Sequence, residues 1–146
     1  MREMIEVGRV QALWRYPVKS MVGTQVTESI IGKGGMAGDR HWALRDESLG
    51  ELSGVRKIPK LLKFKANYDE EPKAGKIAPV TIELPDGRFV NSADDNVNEI
   101  LSEAIGKSVS LWPLQPKTNL KHYRLKMPAG ARAIKRQFAT KELPDL

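Results

Sequence analysis

The chain contains no cysteine, which excludes disulfide bonds, thiolate metal ligands and a cysteine nucleophile within its 146 residues. Histidine is almost as scarce. The two present, His41 and His122, are isolated, so neither the HxxxH nor the HxH spacing of a zinc site occurs. No G-x-S-x-G motif is present, and a serine nucleophile therefore has no local support.

The chain also lacks any apolar run of the length that crosses a membrane. Its first residues include two acids, Glu3 and Glu6, and do not form the hydrophobic segment of a signal peptide. Hydrophobic residues make up 40% of the sequence and charged residues 29%, as in ordinary globular proteins. We therefore expect a cytoplasmic protein with no membrane partner.

The net charge of +6 is unevenly distributed. Residues 1–112 hold 16 basic and 16 acidic side chains, whereas residues 113–146 hold 8 basic and 2 acidic ones. The excess of positive charge therefore belongs to the C-terminal quarter. Such asymmetry indicates an anionic partner, or a segment whose counter-charges lie on another domain.

Short apolar alternations separated by turn residues predict a mainly β protein. In the first predicted strand, alternation places Trp14 and Tyr16 toward the core. Because strands and helices do not alternate, a doubly wound parallel sheet is not expected, and an antiparallel β-barrel with one appended α-helix fits best. The predicted strands cover residues 5–16, 25–31, 41–45, 51–53, 61–68, 80–84, 88–90 and 109–111.

The appended helix is predicted over residues 93–105. Ser92 and Asp95 have the spacing of a capping box, and Gly106 is a natural C-terminal stop. Apolar residues from Val97 to Ile105 recur at the helical period. Beyond this helix, residues 120–126 suggest a strand and residues 129–138 a short basic helix.

The segment from Trp14 to Ser20 indicates a strand that ends at a proline. Pro17 has no N–H to donate, so regular pairing should stop there. Lys19 and Ser20 then follow in a turn, where an ammonium group beside a hydroxyl suits a phosphate-like anion. A solvated surface lysine is the alternative interpretation of this turn.

A second candidate is Arg40, which a glycine-rich loop delivers next to Asp39. Its planar guanidinium suits a phosphate or carboxylate, although a local structural Asp–Arg pair is the simpler interpretation. The loop, residues 32–38, is not a dinucleotide-binding motif because a strand-like segment follows it instead of a helix. Arg56, in a later turn, is a third candidate cation.

The order of these motifs resembles the N-terminal β-barrel domain of MOSC proteins, named for the molybdenum cofactor sulfurase C-terminal region. The resemblance rests on the order of short motifs along the chain: Tyr16-Pro17-Val18-Lys19-Ser20, then Gly38-Asp39-Arg40-His41-Trp42, then Leu52-Ser53 with Arg56 and Pro59. It covers residues 1–112 as the barrel domain. Residues 113–146 resemble the segment that leads into a MOSC domain.

The resemblance implies a molybdenum cofactor, a pterin whose anionic end Lys19, Ser20 and Arg40 would contact, with Arg56 as a less secure contact. The family's metal-ligating cysteine belongs to the MOSC domain, and this chain has none. The resemblance thus implies a non-catalytic, cofactor-binding domain of a molybdenum-dependent oxidoreductase or sulfur carrier. A separate MOSC domain and a redox partner would complete it, and the abrupt end of the basic tail favours a longer parent protein.

Two other functions remain open from the residues alone. The basic C-terminal quarter would suit a small nucleic-acid-binding module, whose binding would weaken steeply with salt. Only Tyr123 and Phe138 provide aromatic rings after Trp112, so a base-stacking surface is not evident. A barrel that recruits a protein partner is the third possibility.

Overall fold

A computed structural model describes residues 4–124 of the chain. The mainly β character is confirmed: short strands account for most of the regular structure, with one α-helix of nine residues, a 3-10 helix at Pro59–Lys63 and a single helical turn. The elements are β1 (Leu13–Arg15), β2 (Thr24–Val26), β3 (Ile31–Gly32), β4 (Gly35–Met36), β5 (Trp42–Asp46), β6 (Glu51–Ser53), β7 (Lys65–Asn67), β8 (Thr81–Glu83), β9 (Phe89–Asn91), α1 (Val97–Ile105), β10 (Val109–Pro113) and α2 (Leu120–Tyr123).

The strands of residues 4–124 do not close into the expected barrel. They form four small antiparallel sheets, β1-β2, β3-β4, β10-β5-β6 and β7-β8-β9. Isolated parallel bridges, Val18 to Trp42 and Val22 to Lys65, connect neighbouring sheets. Strands of two to five residues, interrupted by Pro17 and by tight turns, are too short to maintain one continuous ladder.

The turn that contains Lys19 and Ser20 lies between the two three-stranded sheets. On one side the Lys19 N–H donates to the Trp42 carbonyl at 2.9 Å. On the other, the Val22 N–H donates to the Phe64 carbonyl at 2.8 Å, and the Ala66 N–H donates back to Val22 at 2.9 Å. Both ends of the turn are therefore held by the backbone of other elements.

The hydrophobic core lies beneath these sheets and α1. Val97 and Leu101 of α1 are buried in it, as the helical spacing predicted, and the helix packs against β10. Burial of such side chains is the main favourable contribution to folding. Fully enclosed members of the core include Val18, Leu44, Leu61, Phe64, Ala66, Val80, Ile82 and Leu101.

The first predicted strand is wrong in both length and phase. Residues 4–12 have no strand structure, and Val7 and Val10 are exposed. Trp14 and Tyr16 face outward, and Arg15 is the buried residue between them, 4% exposed. The inward and outward faces of the strand are therefore exchanged relative to the prediction. A long-range ion pair accounts for this, because Arg15 donates to the two carboxylate oxygens of Glu71 at 2.5 and 3.1 Å.

The prediction for residues 61–68 is correct only in its second half. Pro59 begins a 3-10 helix in which Leu61 is buried and Leu62 is exposed. Alternation then holds from Phe64 to Tyr68 through β7. The strand expected at residues 120–126 is instead the helical turn α2, and the helix predicted at 129–138 lies outside the described residues.

The prediction for α1 is correct at its end and wrong at its start. Gly106 adopts the left-handed conformation, φ 81°, that commonly terminates helices. The helix starts at Val97 and not at residue 93, and Ser92 does not cap it. The Ser92 hydroxyl instead accepts a hydrogen bond from the Val80 N–H at 2.9 Å. Among residues 4–124, no helix is long and apolar enough to span a bilayer.

Candidate functional site

Lys19 and Ser20 occupy a strained, closely packed turn. Ser20 has a φ of 69°, in the left-handed region that residues other than glycine rarely adopt. Gly54, just after β6, allows this packing, because a Cβ there would lie 2.8 Å from Ser20 Oγ and 3.5 Å from Lys19 Cε. Within residues 4–124 the Lys19 ammonium has no hydrogen-bond or ion-pair partner, so it is available to a ligand.

Arg40 is positioned by its neighbour Asp39. One Asp39 oxygen accepts a hydrogen bond from the Tyr16 N–H at 2.9 Å, and the other accepts from Arg40 Nε at 3.0 Å. The Arg40 backbone, at φ 50°, also donates to the Tyr16 carbonyl at 2.6 Å. The Asp–Arg pair is thus structural, yet the Arg40 side chain is 70% exposed and its terminal nitrogens have no partner in the described chain.

Gly38 and Tyr68 hold the loop that leads into Asp39. The Tyr68 hydroxyl donates to the Gly38 carbonyl at 2.8 Å. Burial raises the pKa of Tyr68 to about 12, an effect that the nearby Arg15 charge partly offsets. Gly38 has a φ of 79°, and a Cβ there would lie 2.6 Å from the Pro72 side chain. The backbone that precedes Asp39 and Arg40 is therefore held by a contact between residues that are 30 positions apart in sequence.

The basic cleft, as we name it, brings Lys19 and Arg40 together. It has a volume of about 180 Å³, and Leu52 and Trp112 contribute apolar walls. Among residues 4–124, no aspartate or glutamate lines it. A small, partly apolar cavity with two cations and no carboxylate is suited to a small anion.

The basic cleft also contains both histidines of the chain, which the sequence interpretation left without a role. Burial lowers the pKa of His41, against an opposing effect from Asp39, and burial together with the Arg45 charge lowers the pKa of His122. The His41 Nδ1 atom is buried without a partner among residues 4–124. Their spacing in sequence did not predict a shared site, because only the fold brings them to the same cleft.

The apolar cleft, a second depression, shares Arg40 with the basic cleft. Trp14, Tyr16 and Leu62 line it together with Ser20. The three apolar side chains are 47%, 43% and 60% exposed, so they form an uncovered hydrophobic surface. The sequence interpretation missed this surface because alternation placed Trp14 and Tyr16 in the core.

The four predicted site residues therefore do not converge on one cavity. Lys19 and Arg40 share the basic cleft, whereas Ser20 and Arg40 share the apolar cleft. Arg56 lies exposed in the turn after Gly54 and lines neither cleft. Across residues 4–124, no group of three or more potential ligand side chains is arranged to hold a metal ion.

Comparison with known families shows which family the sequence resembles. The family model described as the MOSC N-terminal beta barrel domain matches residues 7–91, more than half of the chain. The matched region includes all four predicted site residues and ends before α1, β10 and α2. No curated protein matches the sequence.

Proposed function

The chain belongs to the MOSC N-terminal beta barrel domain family, and from this membership we propose that it binds the anionic end of a molybdenum cofactor. In this proposal the chain contributes binding and not catalysis. Lys19 and Arg40 hold the pterin phosphate, with Ser20 beside them. Arg56, on the turn that follows Gly54, is a peripheral contact.

The observation that carries the proposal is the placement of Lys19 and Arg40 in one cleft that no carboxylate of residues 4–124 lines. Within residues 4–124 the Lys19 ammonium has no partner, and Arg40, whose Nε pairs with Asp39, keeps its terminal nitrogens unpaired. Both side chains can therefore donate hydrogen bonds to a phosphate. Hydrogen bonds to charged groups contribute about 1.5–3 kcal/mol each. Arg40 adds the fork geometry that suits phosphate, and Lys19 adds a point charge.

The residues present fit one part of the cofactor and not the other. The basic cleft suits the phosphate, and the apolar cleft next to it offers aromatic surface at Trp14 and Tyr16. The cofactor's metal supplies redox chemistry when it is bound, but this chain has no cysteine to ligate it. In our proposal a separate MOSC domain provides that ligand, and any redox partner acts on the assembled protein.

Binding of pyrophosphate, measured by isothermal titration calorimetry at low ionic strength, tests the phosphate site. We expect Lys19→Ala and Arg40→Ala each to weaken binding by about 10- to 100-fold, since each removes one charge-assisted contact. Lys73→Ala is the matched control, because it removes the same charge from an exposed lysine that lines neither cleft.

Equal affinity in wild type, Lys19→Ala and Arg40→Ala would contradict the proposed site. A loss of affinity in Lys73→Ala as large as in Lys19→Ala would also contradict it, because binding would then follow net charge and not the cleft. Thermal unfolding of each variant verifies that the fold is retained.

A further inference from the structure

His122 is a buried histidine whose ring has no polar partner in the part of the chain that the structure describes. The residue is 6% exposed, and neither ring nitrogen makes a hydrogen bond or an ion pair within residues 4–124. Its ring centroid lies 5.5 Å from that of Trp112 and 4.8 Å from that of Tyr123. Together with these rings, His122 lines the basic cleft that also contains Lys19 and Arg40.

The position of His122 is set by its backbone and its neighbours. The Asn119 carbonyl and side-chain oxygen both accept from the His122 N–H, at 3.1 and 3.3 Å. The Tyr123 hydroxyl donates to the Gln115 carbonyl at 2.6 Å and accepts from the Gln115 N–H at 2.8 Å. These bonds attach α2 to the segment that follows β10 without using the imidazole, whose nitrogens remain available to a ligand.

The charged groups around this ring disfavour its protonation. Lys19, Arg40 and His41 line the same cleft, and Arg45 of β5 lies 5.8 Å from the Trp112 ring. Tyr123 is the other titratable group of the cleft. On β6, which α2 contacts, the buried Glu51 forms an ion pair with Lys57. Burial and the Arg45 charge therefore favour the neutral ring of His122 over the imidazolium.

We propose that His122 is a third anion-binding group of the basic cleft, and that it takes up one proton from solvent when an oxyanion binds there. This inference rests on the proposed function, since it assumes that Lys19 and Arg40 bind an anion. The imidazolium formed would donate a hydrogen bond to the anion, and no covalent bond forms or breaks. The ligand class is a small phosphate-, sulfate- or carboxylate-bearing molecule.

Proton uptake makes anion affinity depend on pH. A bound anion favours the imidazolium, so the pKa of His122 is higher in the complex than in the free protein, where its surroundings lower it. Between these two values, affinity rises as pH falls, by about tenfold per pH unit for one proton. Above both values the linkage disappears, because His122 stays neutral in both states.

Sulfate is a suitable probe because it remains a dianion from pH 5 to pH 8. We would follow the imidazole resonances of the full chain by NMR across this range, with and without sulfate, and assign them with His122→Asn and His41→Asn. We expect sulfate to raise the pKa of His122 clearly and to bind more tightly at pH 5.5 than at pH 7.5. In His122→Asn the pH dependence should be largely lost.

The outcomes separate the inference from the function on which it rests. An unchanged His122 pKa in saturating sulfate, or an undiminished pH dependence in His122→Asn, overturns the inference. If pyrophosphate binding still requires Lys19 and Arg40, the proposed phosphate site stands without it. If pyrophosphate binds Lys19→Ala and Arg40→Ala as tightly as the wild type, the proposed phosphate site is itself overturned. The wild-type NMR titration remains decisive even if His122→Asn fails to fold.

Discussion

Ser20 and Arg40, two of the predicted site residues, are the non-glycine residues of the described chain with positive φ, at 69° and 50°. For an L-residue this conformation costs about 1–2 kcal/mol. Backbone hydrogen bonds hold these conformations: the Arg40 N–H donates to the Tyr16 carbonyl, and the N–H of Lys19, which precedes Ser20, donates to the Trp42 carbonyl. Strain of this kind often persists where a side chain has a function that glycine could not provide.

Replacing Ser20 by glycine should stabilise the fold. Ser20→Gly removes the cost of the left-handed conformation from the folded state. Glycine also raises the conformational entropy of the unfolded chain, which cancels part of this gain. We therefore expect the free energy of unfolding to rise by about 0.5–1 kcal/mol. Ser20→Ala is the control, since it deletes the hydroxyl and keeps the strain. Urea unfolding measures both variants. A Ser20→Gly variant less stable than Ser20→Ala would show that the turn is not strained.

At the scale of elements, the pairing of β1 with β2 leaves no room for a side chain at Gly23, which directly precedes β2. A Cβ at Gly23 would lie 2.1 Å from the Arg15 carbonyl oxygen, a backbone atom that cannot rotate away. The two strands would have to separate. Arg15, which forms the ion pair with Glu71, lies in β1 and would move with that strand.

Gly23→Ala should therefore destabilise the protein strongly, by about 2–4 kcal/mol, in the range of overpacked buried sites. Gly8→Ala provides the matched control, because a Cβ at Gly8 has no atom within 4 Å. Thermal and urea unfolding report the difference. Equal stability of the two variants would mean that β1 and β2 are not paired as described.

A second link between elements joins the β5–β6 turn to the end of α1. Asp46 is fully buried, and its carboxylate lies 2.6 Å from the Lys107 ammonium. Burial by itself raises the Asp46 pKa, but Lys107, the Ser48 hydroxyl and the Leu49 N–H outweigh it and lower the pKa to about 2.

Because the pKa is lower in the folded state, this carboxylate contributes stability above its unfolded pKa near 4 and loses it as pH falls toward 2. The contribution is about 2 kcal/mol. We expect Asp46→Asn to lower stability at pH 7 and to flatten the stability profile between pH 4 and pH 2. Asp95→Asn, at an exposed position, should leave the profile unchanged. If the stability of Asp46→Asn fell between pH 4 and pH 2 as steeply as that of the wild type, Asp46 would not be the source of this pH dependence.

For the whole molecule, the net charge of +6 and the basic cleft are separate features. Residues 1–112 carry balanced charge, yet they contain Lys19 and Arg40 in a cleft without a carboxylate. The surplus of positive charge belongs to residues 113–146. The excess charge that would attract polyanions and the two cations of the proposed anion site therefore belong to different parts of the sequence.

Charge reversal in the C-terminal quarter should separate the two. In the full chain carrying Lys135→Glu and Arg136→Glu, any oligonucleotide binding should fall sharply, because fewer counterions are released. Pyrophosphate binding should change less than threefold. Fluorescence anisotropy at several salt concentrations and calorimetry measure the two activities. If pyrophosphate affinity drops as far as in Lys19→Ala, the cleft is not the site.

Local patterns in the sequence predicted the parts of the structure that depend on neighbouring residues. The hairpins at β5–β6 and β8–β9, the core face of α1 and its end at Gly106 are confirmed, since turn chemistry and periodicity act over a few positions. The family was likewise evident from short motifs in order, and the match to residues 7–91 confirms it.

Tertiary contacts decided the rest. Arg15 faces inward because Glu71, 56 positions away, pairs with it, and Ser92 does not cap α1 because Val80 donates to its hydroxyl. The sheets stay separate because their short strands end at turns. The sequence by itself identified Lys19 and Arg40 as candidate anion-binding residues. Only the folded chain placed those two in a cleft with His122, because no local pattern encodes contacts between residues a hundred positions apart.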